Sequence, residues 1–158
     1  MRPGPLKNLM MRMMGTKASE WFGLHAGGDI DKWLLTRTNG RVALLVGWPI
    51  GLLESRGARS GESRRNAVMY LEDQGRLVLV ASKGGDPRNP AWFHNIRAHP
   101  QVGFRWRGRR AQMIARVAQQ EERAELWPKV LDLYPGYALY QQRTGGRDIP
   151  LVILEPLV

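Results

Sequence analysis

The sequence predicts a mainly β domain with added helices, an α+β chain whose antiparallel strands form a closed or nearly closed sheet. Short β-rich runs follow one another from Arg41 to the end of the chain. Between some of them stand Asp73-Gln74-Gly75 and a lone Gly108, turn residues that leave room only for tight antiparallel hairpins. The 158 residues lie near the usual size of one domain, enough to bury roughly two thirds of the unfolded surface. No repeat, low-complexity segment or second domain interrupts the pattern. The organisation expected is an N-terminal helical arm over residues 1–40 and a β domain over residues 41–158.

Near the N-terminus, Leu6, Leu9, Met10, Met13 and Met14 recur with helical spacing between Pro5 and Gly15, while Lys7 and Arg12 fall elsewhere. This predicts a short amphipathic helix. Its Leu/Met face suits packing on the domain or on another subunit, and its basic character also suits weak contact of residues 5–14 with an anionic membrane surface. The stretch holding Trp21, Phe22 and His25 fits no element. Asp29 to Gly40 reads as a helix with Asp29 as N-cap and Gly40 as stop. Strands are predicted over Val42–Val46, Ile50–Ser55, Asn66–Glu72, Arg76–Ser82, Val102–Arg107, Arg109–Val117 and Leu151–Glu155. Helices are predicted over Pro90–Ala98 and from Glu121 onward, with Pro128 and Pro135 breaking the latter into short pieces.

A formal net charge of +10 and an isoelectric point near 10.8 raise the question of nucleic acid. No helix-turn-helix, zinc-finger or RNP pattern is present, and the best-organised basic residues sit in glycine-rich loops, so a phosphate-bearing small anion is the better fit. The chain has no cysteine, which excludes disulfides, thiol nucleophiles and cysteine metal sites. His25, His94 and His99 lack metal-ligand spacing with carboxylates, and no serine stands in a nucleophile elbow. No metal is expected. The absence of a long apolar run or a secretory h-region leads to the expectation of a cytoplasmic protein, at most peripheral at the inner face of the membrane.

Two loops carry the chemistry. In Leu52 to Arg64 an apolar strand runs into glycines, hydroxyls and guanidiniums: Gly57, Arg59, Ser60, Gly61 and Arg64. Arginine gives bidentate, charge-assisted bonds to phosphate oxygens, and glycines let backbone amides approach closely. A solvated basic turn is the alternative reading. In Val80 to Asn95, Ser82, Lys83, Gly84 and Gly85 form a second candidate concavity of donors, and Asn89-Pro90 reads as an N-cap and first helical residue. Plain capping explains Asn89-Pro90 equally well.

These loops resemble segments of the deazaflavin-dependent nitroreductase family, split β-barrel oxidoreductases that use reduced coenzyme F-420. Leu52–Arg64 is similar to the family's first loop, Ala81–Asn95 to its ASxGGxxxxPxWxxN segment, and Trp127–Tyr140 to its WPxxxxxYPxYxxY tail. Ala58 departs from the family's usual arginine, and Ser63 and Ala67 from its usual prolines. The resemblance implies an FMN-binding split-barrel-like fold over residues 41–158 and hydride transfer to a quinone, nitroaromatic or activated alkene. The cofactor's phosphodiester and γ-glutamyl tail give the basic loops a task. The family pattern implies cofactor contacts from Arg59, Ser60, Gly61, Arg64, Tyr70, Ser82, Lys83, Gly84, Gly85, Pro90, Ala91, Trp92 and Asn95, although Trp92 reads equally well as core.

Tyr134, Tyr137 and Tyr140 lie three apart, so a helix would gather them on one face, either in the core or at a pocket mouth. By resemblance they border a lipophilic acceptor, with Tyr137 orienting it and assisting protonation and Ser82 a further hydroxyl donor. Two other classes stay open: an FMN-using relative on the same architecture and a basic binding module without redox activity. The oligomeric state is not legible.

Overall fold

Side chains alternate across a β-strand, so a strand apolar on both faces needs a partner layer on each side. Arg76–Val80 and Leu151–Pro156 are such strands. In the computed structural model, which describes residues 28–42 and 48–157, six strands close into a barrel. They are β1 (Ile50–Arg56), β2 (Ser63–Asp73), β3 (Arg76–Val80), β4 (Gln101–Trp106), β5 (Arg109–Val117) and β6 (Leu151–Pro156). Every pairing is antiparallel, in the order β1-β2-β3-β6-β5-β4 with β4 returning to β1. The expected closed sheet is therefore present, but it is not a simple meander: β6 inserts between β3 and β5.

Four helices complete the described residues: α1 (Gly28–Arg37), α2 (Ala91–Ala98), α3 (Gln120–Leu133) and α4 (Gly136–Arg143). Leu53, Tyr70, Leu79, Phe104, Val152 and Leu154 fill the barrel, and Trp92, Phe93 and Ile96 of α2 join the same cluster. On the outside, Val78, Leu151 and Ile153 pack with Leu126 and Val130 of α3. This second layer explains why β3 and β6 carry apolar residues on both faces. No helix of the described residues is long and apolar enough to cross a membrane.

Both short hairpins use the left-handed backbone that their right-handed twist favours: Gln74 and Gly75 have φ of 50° and 79°, Arg107 and Gly108 of 46° and 76°. Arg107 therefore belongs to the turn and not to the strand in which its sequence placed it. Strand β2 begins at Ser63, earlier than expected, because Arg56 pairs with Ser63 and draws the basic residues into the ladder. Strand β3 ends at Val80, two residues early.

Other boundaries differ for physical reasons. Asp29 lies within the first turn of α1 and pairs with Lys32, so it is not the cap. The helix ends at Arg37, and Gly40, at φ 79°, completes the reversal by donating to the Leu35 carbonyl at 2.8 Å. Pro128 does not break α3. The carbonyl it deprives of a donor, on Ala124, lies on an exposed turn open to solvent. Pro135 does separate α3 from α4. The amphipathic helix expected near residues 5–14 and most of the Val42–Val46 strand fall outside the described residues.

A charged junction pins α3 to the barrel. Arg116 of β5 donates to both carboxylate oxygens of Glu122 at 2.8 Å and to Glu155 of β6 at 3.0 Å. Glu122 also accepts the Gln119 amide at 2.9 Å, satisfying one donor at the helix start. These bonds, Arg116's first, lower the Glu122 pKa from 4.5 to about 2. A carboxylate whose pKa falls on folding stabilises above its unfolded value and loses that contribution as pH drops towards the folded one. Replacing Glu122 by Gln should cost about 1–2 kcal/mol at neutral pH. Melting curves of both proteins from pH 7 to pH 2 should show the gap closing below about pH 4.5.

Candidate active site

The β1–β2 connection is short because Arg56 and Ser63 are still paired, leaving Gly57–Glu62 to turn the chain. The turn holds itself with backbone bonds: the Gly57 amide donates to the Glu62 carbonyl at 2.8 Å, and the Gly61 amide to the Gly57 carbonyl at 2.9 Å. Ser60 Oγ accepts the Glu62 amide at 3.2 Å. A methyl group at Gly57 would lie 2.5 Å from that same oxygen, so glycine there is what leaves the Ser60 hydroxyl in place. Gly61 has φ of 70°, the left-handed value the turn needs. From α2, Asn95 Oδ1 accepts the Ala58 amide at 2.9 Å and ties the loop to the helix.

Between loop and helix runs an open groove of about 1070 Å³, lined by Gly57–Ser60, Ser63–Asn66, Ala91, Trp92, His94, Asn95 and Lys32. The structure thus brings Arg59, Ser60, Arg64, Ala91, Trp92 and Asn95 to one surface. Arg64 faces Glu62 at 3.2 Å with its side chain half exposed, a contact that water and salt weaken. Arg59 is exposed and has no ion pair among the described residues. With the other loop amides engaged, those of Arg59 and Ser60 have no backbone acceptor there. Free guanidinium, free amides and a hydroxyl beside an open concavity are the donor set a phosphodiester requires.

The second loop lies apart from the lining. Ser82 leads into a 3₁₀ turn, Lys83–Gly85, in which Lys83, Gly84 and Gly85 all have positive φ. Lys83 pairs with Asp86 at 3.7 Å. Gly85 is buried, and a methyl there would stand 2.6 Å from the Tyr140 carbonyl, so it serves the contact with α4. Asn89 is not the N-cap of α2. Pro90 holds that position, and Asn89 Oδ1 instead accepts a bond from Arg147 at 2.7 Å.

Two expectations about aromatics change. Tyr70 does not border the groove: it is 2 % exposed, edge-on to Phe104 in the barrel core, because β2 points it inward. The three tyrosines do cluster, Tyr134 meeting Tyr137 edge-on at 5.1 Å and Tyr140 at 6.0 Å. Tyr134 stands before α4, and Gly136 is the residue that lets its ring fold back, since a methyl there would overlap it. Little of the cluster is exposed, however. Tyr134 and Tyr137 are buried with Trp48, Leu126 and Val130, and only Tyr140 is partly exposed. Burial, with Tyr134 adding to it, pushes the Tyr137 phenol pKa well up. Sequence reasoning missed Lys32, which reaches the groove only through tertiary packing, and Arg147, a lone arginine with no pattern to mark it.

Residues 30–156 match the family profile described as F-420H(2)-dependent quinone reductase. The chain belongs to that family. An F-420H(2)-dependent quinone reductase of Mycobacterium tuberculosis is 34% identical over 144 residues, covering 86% of this chain and 96% of that protein. Among solved structures, an F-420-H2 dependent reductase is 40% identical with a TM-score of 0.63, covering 68% of this chain and 94% of that one. Another, described as a domain-swapped dimer, gives the same identity and TM-score over 80% of its chain. The chain is accordingly an oxidoreductase of split-barrel fold, dependent on the reduced deazaflavin and acting on quinones.

Proposed function

We propose that the groove between Gly57–Arg65 and α2 holds the anionic portion of the deazaflavin, and that the Ser82–Gly85 turn and the tyrosine cluster frame its reactive end and the quinone. The observation that carries this reading is the pair of unengaged amides at Arg59 and Ser60 beside an arginine without a carboxylate partner. A solvated turn would have no reason to be tied to α2 through Asn95.

When bound, the reduced deazaflavin supplies the hydride. The protein's own groups bind, orient and stabilise charge. Arg59, Ser60 and Arg64 supply donors to the anionic part on a turn that Gly61 shapes, Lys83 adds a cation from the second loop, and Ala91, Trp92 and Asn95 provide the opposite wall. Gly84 contributes a side-chain-free approach, Gly85 and Pro90 set the backbone around it, and Ser82 offers a hydroxyl. Tyr137, its pKa raised by burial, keeps its proton at ordinary pH. Because it is buried, it reaches an acceptor oxygen only when Tyr140, the partly exposed member of the cluster, gives way, and there it acts as a neutral hydrogen-bond donor to developing negative charge and less as an acid. Tyr134 and Tyr140, whose rings meet that of Tyr137 edge-on at 5.1 and 6.0 Å, hold its ring in place. The same surface suits nitroaromatic and activated-alkene acceptors, which develop charge on similar atoms. The proposal extends to the basic Leu/Met segment at residues 5–14, whose composition suits weak contact with an anionic membrane where a lipophilic quinone partitions.

Titration of the protein with the deazaflavin and with FMN tests the assignment. The deazaflavin should bind far more tightly, and salt should weaken it. Arg59→Ala and Arg64→Ala should each raise its Kd about tenfold, the equivalent of one charge-assisted contact. Unchanged affinity in the double variant would return the loop to a solvated turn. Tyr137→Phe keeps the ring and removes the donor. With hydride transfer rate-limiting, it should slow turnover by about one to two orders of magnitude at unchanged cofactor affinity. Wild-type turnover would leave Tyr137 a packing residue.

A further inference from the structure

Arg147 precedes β6 and points its whole guanidinium into the back of the second loop. Nη1 donates to the Ala81 carbonyl at 3.2 Å and to Asn89 Oδ1 at 2.7 Å. Nη2 donates to the Ser82 carbonyl at 3.1 Å and the Asp86 carbonyl at 2.6 Å, and Nε reaches Asp86 at 3.2 Å. One planar fork thus gathers three carbonyls of the loop and the side chain that closes it. Lysine, a point charge with no planar fork, cannot do this.

The consequence concerns the loop's other polar groups. With its carbonyls drawn towards Arg147, the Lys83 and Gly84 amides have no backbone acceptor among the described residues. Lys83, Gly84 and Gly85 hold φ of 47°, 63° and 86°, and a lysine in that region persists only where neighbours impose it. The imposition comes from two sides: Gly85 lies against the backbone of Tyr140, and Arg147 pulls from below. Arg147 is itself fixed, since its carbonyl accepts from Thr144 Oγ1 at 2.7 Å and Gln141 Nε2 at 2.8 Å. Its charge also meets no carboxylate within ion-pair distance among the described residues: that of Asp86 is taken by Arg88 and Lys83.

We infer that Arg147 is a positioning residue for deazaflavin binding: it sets the Ser82–Asp86 turn with amides free for an anion and places an unpaired positive charge beneath it. This rests on the reading of the loops as the cofactor site, and the experiment separates the two. Wild-type protein is titrated first with oxidised deazaflavin by fluorescence. Unchanged affinity in the Arg59→Ala/Arg64→Ala double variant, titrated alongside, would sink the cofactor-site reading itself.

Given binding, two variants divide Arg147's parts. Arg147→Lys keeps the charge and loses the fork, and should raise Kd at least tenfold, with the quinone KM at saturating cofactor changed less than twofold. Asn89→Asp keeps the fork and puts a carboxylate against it. Its melting temperature should hold or rise, while Kd rises about three- to tenfold because the charge beneath the loop is neutralised. A merely structural staple would bind at least as well in Asn89→Asp as in wild type, and that result overturns the inference. So would unchanged affinity in a folded Arg147→Lys protein, or loss of fold in both variants.

Discussion

Closure of the barrel by its last strand is the constraint on which the rest depends. β6 enters between β3 and β5, pairing Leu77 with Leu154 on one side and Ala115 with Leu154 on the other. It removes two sheet edges at once and buries a strand apolar on both faces. The ladder continues beyond the strand, where the Ala81 amide donates to the Pro150 carbonyl at 3.0 Å. That fixes the segment before β6 against the segment after β3, which is how Arg147 comes to lie under the second loop. The register of β1 with β2 does the same for the first loop, confining it to Gly57–Glu62.

Much of this is legible in the sequence because it is local. Gln74-Gly75 and Gly108 mark hairpins through the backbone they require, and β-rich runs mark strands through side-chain shape. The three family-like segments lead to the right oxidoreductase class and cofactor, because their glycines, hydroxyls and arginines stand in recognisable order. What is not legible depends on which way a residue faces once the barrel has closed. Nothing near Tyr70 distinguishes an inward from an outward position on β2. Nothing near Asn89 announces that its side chain serves a guanidinium far along the chain, and Pro128 breaks a helix or not according to whether water can reach Ala124. Tyrosines spaced for a helix face cluster as expected, yet through a turn at Pro135-Gly136 that buries two of them.

The site divides its labour between a self-supporting loop and a supported one. Gly57–Glu62 braces itself with two backbone bonds and the Ser60 hydroxyl and takes one bond from Asn95. Ser82–Asp86 relies on α4 and on Arg147. Net charge of +10 supplies general attraction for anions, to which the proposed site would add a specific geometry.

Both loops should face one bound cofactor, the first at its anionic portion and the second nearer its reactive end. Residue-resolved amide exchange with and without saturating oxidised deazaflavin tests this most directly. New protection is expected at the amides of Arg59, Ser60, Lys83 and Gly84 together. Protection absent from both loops and confined to another hollow, such as that of about 400 Å³ beside Arg56, His99 and Gln101, would contradict it.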